Sequence, residues 1–384
     1  MNENTNLHNI RILDFTWALA GPYATRLLAD FGVEVIKVQS PLMEDAGDVL
    51  ARGYYNTWNR NKLGITLNLN KPEGITLAKR LVSISDAVVE NYTPRVMFNW
   101  GLDYANLKKV KSDIIMVSMS VMGQPSPRRD YSGYGPTVHA LSGMTRLTSF
   151  PGQPPLGPGF SYADHVAGLY ASIGLLGALE QRRRTDEGQH VDMSEVEAMA
   201  SLLDSAADGK ELEPTGNSSS LAAPHNVYRC KGENRWCAVA VFTEEEWRGL
   251  KKALGNPAWA EDEKFAMLSG RLENRDDLDK LITAWTQEHT AEEVMARLQE
   301  NGVAAGVVQD AADLANDQQL RASGFFIEDA KKPFMDATPI RMSAVRAEYR
   351  RGAPSPGQDN DYVYGELLGI SEKERAELKV KGVI

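Results

Sequence analysis

Cysteine is scarce: the chain of 384 residues carries only Cys230 and Cys237, close together in what reads as one hairpin. Without spaced His or Cys partners they make a poor zinc site, and buried thiols are expected rather than a bridge. Long apolar runs are missing; none approaches the roughly 18 residues that cross a bilayer, so no membrane span is expected. The N-terminal stretch lacks a basic segment followed by an apolar one, so no secretory signal is read and a cytoplasmic protein is expected. Positive charge is in deficit. The net charge of −10, with no long Lys/Arg run, argues against a nucleic-acid surface, although a local basic pocket for an anionic ligand is compatible with it. A GxGxxG fingerprint, internal repeats and low-complexity tracts are also absent. What is present is an ordinary globular composition, 42% hydrophobic and 24% charged, at a length that suits two domains.

The most informative stretch runs from Gly159 to Thr185. Asp164 stands immediately ahead of apolar residues at helical spacing: Val166, Leu169, Tyr170, Ile173, Leu176 and Leu179. The run ends in Arg182-Arg183-Arg184, and cations suit a helix C-terminus. A mostly buried helix is expected, with Asp164 at its positive end. A carboxylate there is either a cap, accepting an orphan N–H of the first turn, or a charged group held ready for chemistry.

Upstream, a strand over 10–16, a helix over 23–31 and a strand over 33–38 form a β-α-β unit, which implies a parallel pair. Ligands of such units bind at the carboxyl ends of strands, here around 16–21 and from Lys37 onward. Further strands are expected over 64–69, 87–91 and 114–119, with helices over 71–82, 96–100 and 103–110. This alternation indicates an α/β sheet covered on both faces. Arg60, Lys62 and Arg95 read either as solvated charges or, at strand ends, as an anion pocket. From Val121 to Phe160 the chain is rich in Gly and Pro and leads directly to Asp164. A strand over 188–193 follows, and then a helix opened by Ser194 with Glu197 at capping-box spacing. The expected domains are 1–207, a large α/β domain; 208–221, a linker; 222–310, a small α+β domain; and 311–384, a segment returning to the large domain or crossing an oligomer interface.

The stretches Leu13-Asp-Phe-Thr, Ala20-Gly-Pro, Leu27 to Lys37, Asn59-Arg-Asn-Lys62, Lys71-Pro-Glu-Gly74, Val89-Glu-Asn-Tyr92, Tyr162-Ala-Asp164 and Arg184 to Gln189 occur in one order along nearly the whole chain. In this the sequence resembles the class III CoA-transferases, the family that also holds formyl-CoA transferase, carnitine CoA-transferase and 2-methylacyl-CoA racemase. The resemblance implies a Rossmann-like large domain with a smaller α+β domain, and an interlocked dimer. It implies Asp164 as a nucleophile that attacks an acyl-CoA thioester, with Tyr134 beside it. It implies a CoA site drawn from Leu19, Ala20, Lys37, Arg60, Leu67, Asn70, Lys71, Asn91, Tyr92, Arg95 and Asn99. CoA and acyl-CoA are then substrates, with no tightly bound cofactor and no metal. A carboxylate is a competent covalent nucleophile against an activated acyl group, and exchange of CoA between acids requires no ATP.

The chain also departs from the family. Where formyl-CoA transferase has a glutamine before its Ala-Gly-Pro, this chain has Leu19; the basic positions that hold CoA phosphates there are Ser40, Asn70 and Asn99; and an acidic position after Tyr134 is Gly135. A different acid and a rearranged phosphate grip are expected, drawing on Lys37, Lys71, Arg60 or Arg95. The implied donor is a dicarboxyl-CoA such as succinyl-CoA, with a bulky acid as acceptor, in a homodimer or a heteromer with a related subunit. Two alternatives stand beside this. One is α-proton exchange of the racemase kind, for which His139 and His165 are the nearby histidines. The other is a non-catalytic subunit of a heteromer.

Overall fold

The computed structural model describes residues 7–41, 53–203, 213–327 and 335–384. The 42–52 part of the loop after the second strand and the 208–212 part of the expected linker lie outside these residues. The chain divides into two compact units. The larger comprises Met1–Arg146, Gly157–Glu211 and Ser323–Ile384; the smaller comprises Leu147–Leu156 and Leu212–Ala322.

The larger unit is built on a parallel sheet of β1 (Arg11–Asp14), β2 (Glu34–Gln39), β3 (Leu63–Thr66), β4 (Ala87–Glu90), β5 (Ile115–Ser120) and β6 (His190–Ser194), in the order β3-β2-β1-β4-β5-β6. Order reverses between β1 and β4, and sheets of this kind hold ligands outside such a reversal. The strands are apolar on both faces, as a doubly covered sheet requires. On one face, Leu13, Ile36, Val88 and Met116 pack with α3 (Pro72–Ser83) and α5 (Tyr104–Val110). On the other, Ile12, Val35, Val89 and Val117 pack with α1 (Ala20–Ala29) and α7 (Tyr162–Thr185). The edge strand β3 is not left bare. Gly64 N–H donates to Asp359 Oδ2 at 2.7 Å, Thr66 N–H to Asn360 Oδ1 at 3.0 Å, and Tyr364 Oη–H to the Thr66 carbonyl at 2.8 Å. Covering the edge in this way removes a pairing template.

The helix α7 differs from expectation. Its buried side is made of small residues, Ala163, Ala167, Gly168, Ala171 and Ala178 with Leu175 and Leu179. A Cβ at Gly168 would lie 2.8 Å from the Ala20 carbonyl oxygen and 2.8 Å from the Tyr23 ring. Close packing on α1 therefore selects the small face. Leu169, Tyr170, Leu176 and Ile173, the last 67% exposed, point away from the unit, so the helix is buried on one side only.

In the smaller unit, β7 (His225–Arg229), β8 (Trp236–Ala240) and β9 (Ala304–Val307) form an antiparallel sheet around Tyr228, Cys237, Trp247, Phe265 and Leu298. Both cysteines are buried and free. This unit runs on to Ala322, beyond the expected limit at 310. One tie is ionic: Arg235 in the hairpin meets Asp313 at 2.6 Å.

Candidate active site

Three helices of the larger unit meet around a small apolar cluster of Val138, Ala163, Val166, Ala198 and Met199. They are α6 (Gly135–Ser142), α7, and α8 (Glu195–Ala200). Gly135 and Glu195 are the first residues of α6 and α8, and Asp164 lies in the first turn of α7. Helix starts carry partial positive charge and unsatisfied N–H groups, which favours anions there.

Asp164 is not the helix cap. Ser161 occupies the cap position without a side-chain bond, and the Ala163 N–H donates to His139 Nε2 at 2.9 Å. Asp164 is buried, and its Oδ2 has no hydrogen-bond partner. Burial raises its pKa above the ordinary carboxylate value, while its own backbone N–H and His165 pull it back. The carboxylate fits only because residue 135 has no side chain: a Cβ there would lie 2.5 Å from Asp164 Oδ2 and 3.1 Å from Ser161 Oγ. The acidic position lost at Gly135 is thus filled by the nucleophile candidate's own oxygen.

Both nearby histidines have other work. His139 accepts the Ala163 N–H, and burial lowers its pKa. His165 Nδ1 lies 2.7 Å from the Ser161 carbonyl, and its ring packs edge-on against Tyr23 and Trp58.

The loop after β1 lies at the strand-order reversal. Trp17 N–H donates to Asn91 Oδ1 at 2.9 Å, and Asn91 Nδ2 donates to the Trp17 carbonyl at 3.0 Å. This pairing holds Ala18 at φ 58°, a left-handed conformation that costs an L-residue energy and is seen where function over-determines the backbone. The Trp17 ring meets Tyr134 edge-on at 5.9 Å, and both rings are exposed. Leu19 and Ala20 are buried at the start of α1.

The basic residues divide sharply. Lys37 and Arg60 do not form a phosphate grip, and neither is solvated. Lys37 is buried, donating to the Thr16 carbonyl and standing 3.5 Å from Asp14. Arg60 is 0% exposed and grips Asp30 with two bonds, at 3.0 and 2.7 Å, while also donating to the Asp336 carbonyl. Lys62 is equally buried, 2.9 Å from Asp14. These cations neutralise internal carboxylates, so the CoA role expected of Lys37 and Arg60 is corrected to a structural one. Leu67 is buried too, its N–H donating to the Gln39 carbonyl. Asn70, Arg95 and Asn99 are exposed, Tyr92 is half-buried against Trp100, and Lys71 donates to the Lys381 carbonyl at 2.6 Å. Arg95 makes no ion pair among the described residues.

Two buried carboxyls escaped sequence reasoning. Burial pushes Glu195 up to about 8, helped by the charge of Asp164. Glu90, at the end of β4, is pushed up to about 7 by burial, with Ser118 and the Tyr92 N–H opposing; its Oε1 has no partner. Glu195 reads in sequence only as a first-turn helix residue behind Ser194, whose Oγ does accept the Glu197 N–H.

Residues 7–360 match the model of the CoA-transferase family III. The chain belongs to that family. CoA-transferase family III is a family of enzymes, and the relatives agree. A succinyl-CoA–D-citramalate CoA-transferase of Chloroflexus aurantiacus is 35% identical, over 98% of each chain. The alpha subunit of a succinyl-CoA–L-malate CoA-transferase of the same organism is 33% identical, over 100% of this chain and 93% of its own. The crystal structure of a CAIB/BAIF family protein from Brucella suis superposes with a TM-score of 0.88 at 30% identity, covering 95% of this chain and 100% of that one. The family membership makes this chain a CoA-transferase, and no described helix is long and apolar enough to cross a membrane.

Proposed function

We propose that this CoA-transferase moves CoA from succinyl-CoA to a bulkier organic acid through covalent adducts on Asp164. The observation that carries the reading is the Oδ2 of Asp164, buried and unpartnered where helix starts converge. The carboxylate attacks the thioester carbonyl, the C–S bond breaks, and CoA leaves as thiolate. The thiolate attacks the aspartyl carbonyl of the mixed anhydride, its C–O bond breaks, and succinate departs, leaving an aspartyl-CoA thioester. The acceptor carboxylate displaces CoA from that carbonyl, and the thiolate then takes the acceptor's acyl group and frees Asp164. First-turn N–H groups suit the oxyanions that form at each stage. Relatives named for succinyl-CoA support the donor, and an apolar Leu19 where formyl-CoA transferase has a glutamine supports a different, less polar acceptor.

Asp164→Ala is expected to lower exchange about 10⁴-fold. Hydroxylamine should convert the wild-type adduct to a hydroxamate found by mass spectrometry on the peptide carrying Asp164. Full activity in the variant would overturn the reading. No observation favours α-proton exchange, because both histidines are committed to backbone contacts.

The outward face of α7 supports a partner subunit: Leu169, Tyr170, Ile173 and Leu176 are exposed together, and contiguous apolar patches mark interaction surfaces. A second copy, interlocked as family resemblance implies, is the proposed occupant. Ile173→Glu should halve the mass measured by analytical ultracentrifugation. A wild-type monomer that assembles only with a related subunit would replace the homodimer by a heteromer.

A further inference from the structure

We infer that Trp17 is the specificity-determining residue for the acceptor acid. Its ring, set by Asn91 and seated against Tyr134, walls the approach to Asp164 and selects acids that carry a branched or aryl hydrocarbon body beside the carboxylate. This deepens the proposed reaction and rests on Asp164 being its nucleophile.

The level of Asp164 follows from how α7 lies along α1. The two helices run side by side in one direction. A Cβ at Gly168 would lie 2.8 Å from the Ala20 carbonyl oxygen, and one turn later on both helices the Ser172 Oγ–H donates to the Ala24 carbonyl at 3.2 Å. Asp164 stands one turn before Gly168, and residues four apart share a helix face. It is therefore level with the segment that leads into α1, Thr16 to Leu19. From another side α6 closes on the same carboxyl, because Oδ2 lies 2.5 Å from where a Cβ of residue 135 would stand. Trp17 belongs to the first of these walls, and Tyr134, the residue before Gly135, to the second. Their rings join the two walls, with centroids 5.9 Å apart and planes at 71°.

Neither ring is packed away as a core aromatic would be: Trp17 is 48% exposed and Tyr134 60%. The wall is also uncharged, being Thr-Trp-Ala-Leu-Ala over 16–20 and Tyr-Gly-Pro-Thr over 134–137. A hydrocarbon body laid on such rings gains from burial and dispersion. A second carboxylate against a ring face would meet the negative side of its quadrupole. The succinyl group lays its two methylenes on the same wall and keeps its far carboxylate in water.

Trp17 is also held in place. Its N–H donates to Asn91 Oδ1 at 2.9 Å, and its carbonyl accepts from Asn91 Nδ2 at 3.0 Å. Asn91 follows β4 directly, where the Glu90 carboxylate accepts the Tyr92 N–H at 2.8 Å. The next residue along from Trp17, Ala18, is fixed at φ 58°. Asn91 is thus the positioning residue of the wall. A wall fixed in this way discriminates between acids because it neither closes on a small one nor withdraws from a large one.

The test compares kcat/KM for phenylacetate, isobutyrate and acetate, with succinyl-CoA as donor, in wild type, Trp17→Ala, Trp17→Phe and Asn91→Ala. Wild type should prefer phenylacetate to acetate by about a hundredfold, with isobutyrate between them. Trp17→Ala should cut that ratio about thirtyfold, and Trp17→Phe by less than about fivefold. Asn91→Ala should cut it about tenfold although the indole remains. Trp17→Leu, which keeps an apolar side chain on the loop, supplies the same comparison if the alanine variant does not fold. A ratio left unchanged by Trp17→Ala or Trp17→Leu, or a wild type that favours acetate or uses none of the three acids, overturns the wall. A ratio unchanged in Asn91→Ala overturns the positioning role. Trapping with hydroxylamine and succinyl-CoA alone keeps the two readings apart. An Asp164 hydroxamate with an unmoved ratio removes the wall and leaves the nucleophile. A ratio that moves without any Asp164 hydroxamate overturns the nucleophile and supports Trp17.

Discussion

Asp14 and Asp164 are both buried carboxyls of one unit, and they are treated in opposite ways. Asp14 accepts the Thr16 N–H at 2.8 Å, the Thr25 Oγ–H at 2.7 Å and the Lys62 ammonium at 2.9 Å, with Lys37 close by. Burial alone would raise its pKa, yet Lys37, Lys62 and the hydroxyls of Thr16 and Thr25 hold it well below the usual range. Asp164 has burial without those partners, and one of its oxygens bonds to nothing. A carboxylate saturated with donors is a fixed part of the fold, whereas one with an unmet lone pair retains its nucleophilicity. Glu90 falls between them, with one oxygen bonded to the Tyr92 N–H at 2.8 Å and the other without a partner.

The sharpest way to break the contrast is to neutralise the saturated member. Asp14→Asn leaves two buried ammoniums facing an amide and should cost about 3–5 kcal/mol of stability in urea unfolding. Because the folded Asp14 pKa is depressed, its contribution is present above the unfolded carboxylate pKa and is lost as pH falls through the folded value. The difference between wild type and variant should therefore shrink in acid. A loss below 1 kcal/mol at pH 7 would show that the network is not structural.

Glu90 has the opposite sign. Its folded pKa, about 7, stands above the ordinary 4.5, so the folded state holds a proton that the unfolded state has released. Its effect is a stability loss of up to about 3 kcal/mol as pH climbs between those values. Glu90→Gln should flatten that slope, read as unfolding free energy at pH 4.5 and pH 8. A slope unchanged by the variant would mean that the group stays ionised.

The smallest effect concerns space rather than charge. Gly135→Ala puts a methyl where Asp164 Oδ2 lies and should shift the carboxylate. Exchange is expected to fall about tenfold to a hundredfold, with stability changed by about 1 kcal/mol or less. Unaltered kcat would show that the carboxylate's position is not critical.

Much of the frame was legible. The β-α alternation placed the strands of the large sheet to within a few residues, because short apolar runs and Gly or Pro punctuation are local signals. Asp164 was visible as an acid in a helix's first turn. The roles of Lys37 and Arg60 were not, since the partners that enclose them, Asp14, Asp30 and Asp336, are set by strand register and by chain returning from far downstream. Helical periodicity marked Leu169, Ile173 and Leu176 as one face but not as the outward one, because the choice was made by how closely Gly168 lets two backbones approach. Glu195 gave no signal beyond an ordinary helix start; its burial comes from the packing of three helices.

The cover on β3 has a consequence for synthesis. Gly64 waits for Asp359, which follows 295 residues later. At about 5–20 residues per second the ribosome takes roughly 15 to 60 seconds to deliver it. Over that interval the nascent sheet presents an open edge to other nascent chains. A polysome making this protein therefore carries a row of unfinished edges, and the yield of soluble chain should rise when translation is slowed less than initiation.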